Sequence, residues 1–436
     1  MSNIDYSDPN NTPPIGEAVP LGLQHVLAMF ASNVTPSIIV AGAAGLAFGG
    51  AEQIYLIQMA MLFAGIATLF QTIGIGPIGA RLPIMQGTSF AFVGVLAGVA
   101  ATQGLSVALT ACIIAGLIHF SLGSVIQKLR FMFPPLVTGL VILAIGLYLI
   151  SVAIKYAAGG AADFQMAADS FGSLLHWTVA LTVVVVSLAC KFMTKGLISN
   201  AAILIGLIAG YIVAVFSGMV SFGGVENTKW FQLPAVMPYG FEFSLGAVIG
   251  VTLVSLVSAI ETIGDTSATT KAGSERDATD AEISGATYAD GLGTAVAGVF
   301  GGLPNTSFSQ NVGIVGMTGI MSRHVVTIAG IIMIICGLIP KIGAVISSMP
   351  LPVLGGGVIV MFGMVAAAGM NMLSTVSMNR RNMIIISVSL AVGLGLNLVP
   401  SAVQHLPGIW KTLATSAVAP TALLAVIMNL VLPEDD

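Results

Sequence analysis

The chain has 436 residues, 56 % of them hydrophobic and 7 % charged, with a net charge of −4 and a mean hydropathy of +1.00. A soluble domain carries about 25 % charged residues, so the composition excludes a soluble enzyme or binding module and marks a polytopic membrane protein. The negative charge is spread over tails and loops and leaves no basic footprint for nucleic acid.

Residues 1–19 are polar, with Asp5, Asp8, Glu17 and three prolines. They lack the basic start of a secretory signal and read as a short disordered cytoplasmic tail. Apolar runs long enough to cross a bilayer follow near 21–43, 52–74, 104–127, 135–154, 176–194, 199–217, 244–270, 285–300, 323–347, 354–375, 381–399 and 411–432. Two shorter, broken segments lie at about 83–100 and 304–319, which predicts an all-α membrane protein of about fourteen spans. With the N-terminus inside, ten basic residues (Arg81, Lys128, Arg130, Lys191, Lys195, Lys271, Arg276, Arg323, Arg380 and Arg381) fall on the cytoplasmic side. Four, Lys155, Lys229, Lys341 and Lys411, fall outside, in keeping with the positive-inside rule. The cysteines Cys112, Cys190 and Cys336 lie in apolar stretches at unrelated spacings and make no disulfide or metal framework.

The two broken segments share a grammar. In Pro83-Ile84-Met85-Gln86-Gly87-Thr88-Ser89-Phe90 and in Pro304-Asn305-Thr306-Ser307-Phe308-Ser309-Gln310-Asn311, a proline removes a backbone donor and favours extended chain before it. A polar piece and a small-residue helix follow. Thr88-Ser89-Phe90 recurs as Thr306-Ser307-Phe308 at a shift of 218, half the chain. Phe133-Pro134-Pro135-Leu136-Val137 resembles Met349-Pro350-Leu351-Pro352-Val353 at nearly the same shift. Seven spans per half is an odd number, so the second half enters the membrane inverted. Extended backbone at membrane depth must line a cavity or be buried in protein. Two half-strands meeting antiparallel at mid-membrane would satisfy it, with two half-helix N-termini converging on one cavity.

Ionisable residues inside the membrane are functional suspects. Glu261 and Asp265 stand four apart on one helix face, where like charges repel and one of them can hold a proton near neutral pH. A helix end at the water interface is the alternative, more so for Asp265. Asp290 lies in the next apolar run, where a structural hydrogen-bonding role is equally open. Gln310 and Asn311 offer donors and acceptors suited to a planar heterocycle with N–H and C=O edges. Interhelical hydrogen bonding is the competing role, and the stronger one for Asn311. Phe90 and Phe308 occupy matching positions and could sandwich a flat ring, or simply pack. His25, near the start of the first span, reads as a structural group. No phosphate-binding loop, nucleophile elbow or Cys/His cluster is present, so neither an ATP-driven pump nor a membrane-embedded enzyme finds its residues, and no cofactor or metal is expected.

On these motifs the chain resembles the nucleobase–ascorbate transporters, also called nucleobase:cation symporter family 2, from about Pro20 to the end. The family signature near the tenth span reads here Gln310-Asn311-Val312-Gly313, four residues, then Thr318-Gly319. Gln24-His25, Gln86-Gly87-Thr88-Ser89-Phe90 and Glu261-Thr262-Ile263-Gly264-Asp265 match as well. The resemblance implies a seven-plus-seven inverted repeat after the tail at 1–19. A core domain would comprise 20–130 and 244–348, and a gate domain 131–243 and 349–436, ending in a short cytoplasmic tail. It implies a homodimer joined through the gate domain and coupling to protons. Glu261 and Gln310 would hold a base by its polar edges, helped by backbone at Phe90 and Ser309 and by Thr88, Ser89, Phe308 and Asn311. Asp265, Asp290 and His25 would support the site or the proton path. The uracil branch typically has Glu where Gln310 stands and His where Asp265 stands, whereas the xanthine and urate branch has Gln at position 310. Thr88 replaces the Asn of some xanthine carriers, which leans towards urate. The expectation is a proton-coupled importer of urate or xanthine in a bacterial-type inner membrane, with both termini cytoplasmic. A uracil carrier of the same design is the first rival. An anion transporter on the related fold is the second, although it would want a basic residue at the half-helix N-termini.

Overall fold

The computed structural model describes residues 6–132, 134–160, 163–164 and 166–433. Helix dominates because helices satisfy their own backbone where no water can. The principal elements in chain order are α1 (Ile15–Ala43), α2 (Ala51–Ile73), β1 (Gln86–Thr88), α3 (Val93–Gln103), α4 (Leu105–Leu122), α5 (Pro135–Ala157), α6 (Leu174–Met193), α7 (Ala202–Phe216), α8 (Leu245–Ser274), α9 (Asp280–Val299), β2 (Asn305–Ser307), α10 (Ser309–Thr318), α11 (Arg323–Leu338), α12 (Pro340–Ser347), α13 (Leu351–Leu373), α14 (Arg380–Leu398), α15 (Gly408–Thr415) and α16 (Val418–Val431).

Each expected span coincides with a helix, yet length and apolarity alone identify eight crossing helices among the described residues. A ninth appears if α11 and α12, bent by 78°, form one span. The difference from fourteen has local causes. The half-helices α3 and α10 follow extended chain, α7 and α16 are short, and α9 carries Asp280, Glu282 and Asp290. Pro340 starts α12 because a proline without an N–H is tolerated in a first turn and not in a helix interior. The expected last span is cut in two at Ala417, which holds a left-handed φ of 59°.

Among the described residues, the segment read as a disordered tail is held against the second half of the chain. Helix α1 already begins at Ile15, behind Pro14. The N–H groups of Met321 and Arg323 donate to the carbonyls of Tyr6 (2.8 Å) and Pro9 (2.9 Å). The Ser322 hydroxyl donates to the carbonyl of Asn11 at 2.5 Å. The tail's polar side chains read as solvated because its partners lie more than 260 residues away. The tail ends at 1–5 and 434–436, and Phe133 of the repeated motif, lie outside the described residues.

Packing pairs the two halves of the chain with each other. Helix α2 lies on α11 and α4 on α9, while α5 lies along α13. Within each half, α6 packs on α7 and α14 on α16. At the centre β1 and β2 pair antiparallel, with Gln86 opposite Ser307, Gly87 opposite Thr306 and Thr88 opposite Asn305. Ser89 N–H to the Pro304 carbonyl (2.9 Å) and Phe308 N–H to that of Met85 (3.0 Å) extend the ladder at both ends. All six strand residues are buried, so the ladder satisfies polar backbone that nothing else at this depth could. Gly87 is required there. A Cβ on it would lie 2.5 Å from both Met29 Cε and Phe308 Cε2, and 2.8 Å from Asn33 Oδ1.

Candidate functional site

The ladder sets the geometry of everything around it. Helices α3 and α10 begin just beyond β1 and β2, so their first N–H groups, which have no carbonyl within their own helix, lie beside the ladder. A cavity of about 250 Å³ opens at this point. The first break contributes Thr88, Ser89 and Phe90 to its wall, the second Phe308, Ser309 and Gln310, and α8 contributes Glu261. The opposite wall is apolar: Ile142 and Ile145 of α5, and Met364, Val365 and Ala368 of α13.

Seven of the eleven residues singled out from the sequence therefore share one cavity: Glu261, Gln310, Phe90, Ser309, Phe308, Thr88 and Ser89. Among the described residues Glu261 is its single charged lining residue. Among the described residues no hydrogen-bond partner of the Glu261 carboxylate or the Gln310 amide is found, and the Thr88 hydroxyl is buried without one. Phe90 packs edge-on against Phe362, with ring centroids 5.2 Å apart. Phe308 is buried against Gly87.

The other four stand behind this wall. Asp265, one turn after Glu261 on α8, accepts hydrogen bonds from the hydroxyls of Ser307 and Ser309, each at 2.7 Å. Asp290 on α9 is fully buried. It accepts from the Gln71 amide at 3.0 Å, from the Gln86 amide and from the Thr262 hydroxyl, so it ties α2, β1, α8 and α9 together. Asn311 turns away from the cavity. Its amide donates to the carbonyl of His25 at 3.1 Å and lies 3.0 Å from His25 Nδ1, which joins α10 to α1. Hydrogen bonding between helices is thus the geometry of both Asn311 and His25. Among the described residues none of the three acids has a Lys, Arg or His nitrogen within 4 Å, and no group of three His, Cys, Asp or Glu is placed to hold a metal.

Some participants were not apparent from the sequence. Asn33 accepts from the Thr88 N–H at 2.8 Å and donates to the Ala60 carbonyl at 3.1 Å, and so fixes β1 against α1 and α2. Gln71 bridges Asp290, the Ala286 carbonyl and the Ala80 N–H. Both are amides in the middle of apolar runs, which was an available signal. The aliphatic wall from α5 and α13 carried none.

The profile of a permease family matches residues 16–430. The chain is 37 % identical over 411 residues to the uric acid permease PucK of Bacillus subtilis, covering 94 % of each. It is 31 % identical over 442 residues to the xanthine permease XanP of Escherichia coli, covering 97 % of this chain and 93 % of that one. In fold it is similar to the transmembrane domain of the cyanobacterial bicarbonate transporter BicA, with a TM-score of 0.63 at 14 % identity, covering 95 % of this chain and 97 % of that one.

Proposed function

We propose, from the premise that the chain belongs to the nucleobase–ascorbate transporter family of permeases, that it is a proton-coupled symporter of an oxidised purine, urate or xanthine. The family and these relatives are permeases rather than enzymes, and the chain is a multi-pass membrane protein. The observation that carries the reading is the pair Glu261 and Gln310, both lining one cavity beside two half-helix N-termini, with no protein partner for either side chain among the described residues. A carboxylate accepts from purine N–H groups, and an amide serves an N–H and a C=O on the same edge. Phe90 and Phe308 give the ring faces an apolar surface.

Alternating access follows if residues 20–130 and 244–348, which carry the breaks, move as a core against a gate formed by 131–243 and 349–436. The aliphatic wall of α5 and α13 belongs to the gate, so relative motion would uncover the cavity to one side and then the other. Asp265, Asp290 and His25 are assigned to support of the site and the proton path. The same reading places the protein in a bacterial-type plasma membrane with both termini cytoplasmic, as a homodimer joined through the gate. An anion carrier finds little support, because among the described residues the cavity wall holds an acid and no cation. Uptake of labelled urate by cells lacking their own purine carriers tests the proposal. Competition by xanthine and not by uracil is expected; competition by uracil alone would move the assignment to the uracil branch.

A further inference from the structure

A second, larger cavity of about 810 Å³ follows the first along one seam. Ala91, two residues before α3, lines the inner cavity, while Gly94 and Gly98 of α3 line the outer one. On α5, Ile142 and Ile145 line the inner cavity and Tyr148 the outer one. The two spaces thus lie in series between the same helices. The ring of Tyr148 lies against Gly94, where a Cβ would come within 3.0 Å of it, at the inner end of the outer cavity's stretch of α3 and α5. The outer cavity opens at the membrane face where α3 ends and α8 begins, the face assigned to the outside.

Its wall is hydroxyl- and amide-rich, with Thr102, Gln103, Thr412 and Thr415 among its residues, and among the described residues Lys411 is the single charged one in it. Two other lysines of this face are engaged: Lys155 lies over the ring of Phe164 and Lys341 over that of Trp230, each at 4.9 Å. Among the described residues no acid lies within 4.0 Å of Lys411, and its ammonium has no hydrogen-bond partner. A lone cation in a recessed polar cleft with low-dielectric walls focuses its field on the opening and raises the local concentration of anions.

We infer that the outer cavity is an entry vestibule in which Lys411 captures the anionic form of the purine before Tyr148 swings aside. This rests on the purine reading and adds a distinction within it. Urate is mostly a monoanion at neutral and mildly acidic pH, whereas xanthine at mildly acidic pH is neutral. Lys411 therefore favours urate over xanthine at the point of entry, while Glu261 and Gln310 hold either base further in.

The test is initial-rate uptake of labelled urate and xanthine at mildly acidic pH, in proteoliposomes of zwitterionic lipid, at low and high salt. With Lys411→Gln the KM for urate should rise about threefold at low salt. It should rise further with Lys411→Glu and stay near wild type with Lys411→Arg. The KM for xanthine and both kcat values should not move, and the urate effect should shrink at high salt, where exposed charges are screened. Should a variant not reach the membrane, the wild type alone decides, since its urate KM must depend on salt and its xanthine KM must not. Urate and xanthine constants that move together, or a urate KM indifferent to charge reversal and to salt, overturn the inference and leave the purine reading intact. An effect that appears only when anionic lipid is added assigns Lys411 to lipid headgroups and also overturns it. Wild-type protein that carries neither purine overturns both.

Discussion

The hydroxyl of Ser309, in the first turn of the second half-helix, donates to Oδ1 of Asp265 at 2.7 Å. Ser307, the last residue of β2, donates to Oδ2 of the same carboxylate at the same distance. One acid thus clamps both the strand and the helix of the second break onto α8, one turn from Glu261. The clamp fixes where Gln310 stands relative to Glu261, and so fixes the spacing of the two groups assigned to the base.

Replacing Glu261 with Gln keeps the shape and removes the carboxylate acceptor. Loss of a charge-assisted hydrogen bond costs about 1.5–3 kcal/mol. Urate and xanthine uptake should therefore fall about tenfold or more, with normal abundance in the membrane fraction. Unchanged uptake would remove Glu261 from the site.

Gln310→Glu exchanges the amide donor for an acceptor at the helix start. Both purines present donor and acceptor edges, so affinity should weaken and the competition profile shift towards other bases. An unchanged profile across a panel of bases would mean that Gln310 does not read the ligand.

Asn311→Ala removes the link between α10 and His25 but no part of the cavity wall. A buried partner left unsatisfied costs about 1–3 kcal/mol. The detergent-solubilised variant should melt at a lower temperature while the order of preference among purines is kept. A changed order at unchanged stability would place Asn311 in recognition after all.

Much of this candidate site was legible in the sequence because a proline followed by a cluster of hydroxyls and amides interrupts an apolar pattern. Pro83 and Pro304 stand just ahead of β1 and β2, and the shared Thr-Ser-Phe marks the two breaks as equivalent. Glu261 and Gln310 stand out against an apolar background. Which side a polar residue faces was much less legible. Gln310 and Asn311 are neighbours, and consecutive residues on a helix point about 100° apart, so one lines the cavity and the other binds His25. Partners distant in sequence were hidden altogether. Nothing near Asp290 announces Gln71, and nothing in the tail announces Arg323, whose guanidinium reaches Asn10 at 3.0 Å.

The ladder makes a sharp prediction about two glycines of equal size and opposite setting. Gly87→Ala forces a methyl group against Met29, Phe308 and Asn33, and should abolish transport or folding. At Gly313 nothing lies within 4 Å of the added Cβ, so Gly313→Ala should be expressed and stable. Size-exclusion profiles of the two variants compare them directly, and a monodisperse Gly87→Ala protein with normal uptake would contradict the strand contact.

The claim that joins site to mechanism is coupling. Glu261, Asp265 and Asp290 lie within one region and, among the described residues, none has a cation within 4.0 Å; on the proposed reading, three carboxylates held this close do not all stay charged through the cycle. On that reading at least one carries a proton in some state, and a neutral base moving with that proton would carry positive charge inward. The most direct measurement is accumulation of labelled xanthine in proteoliposomes, without sodium, under an imposed pH gradient (acid outside) or a valinomycin-set potential (negative inside). Each should drive xanthine above its equilibrium level, and the two together should drive it further. Accumulation indifferent to both would make the protein a facilitator and contradict the proton role assigned to these acids.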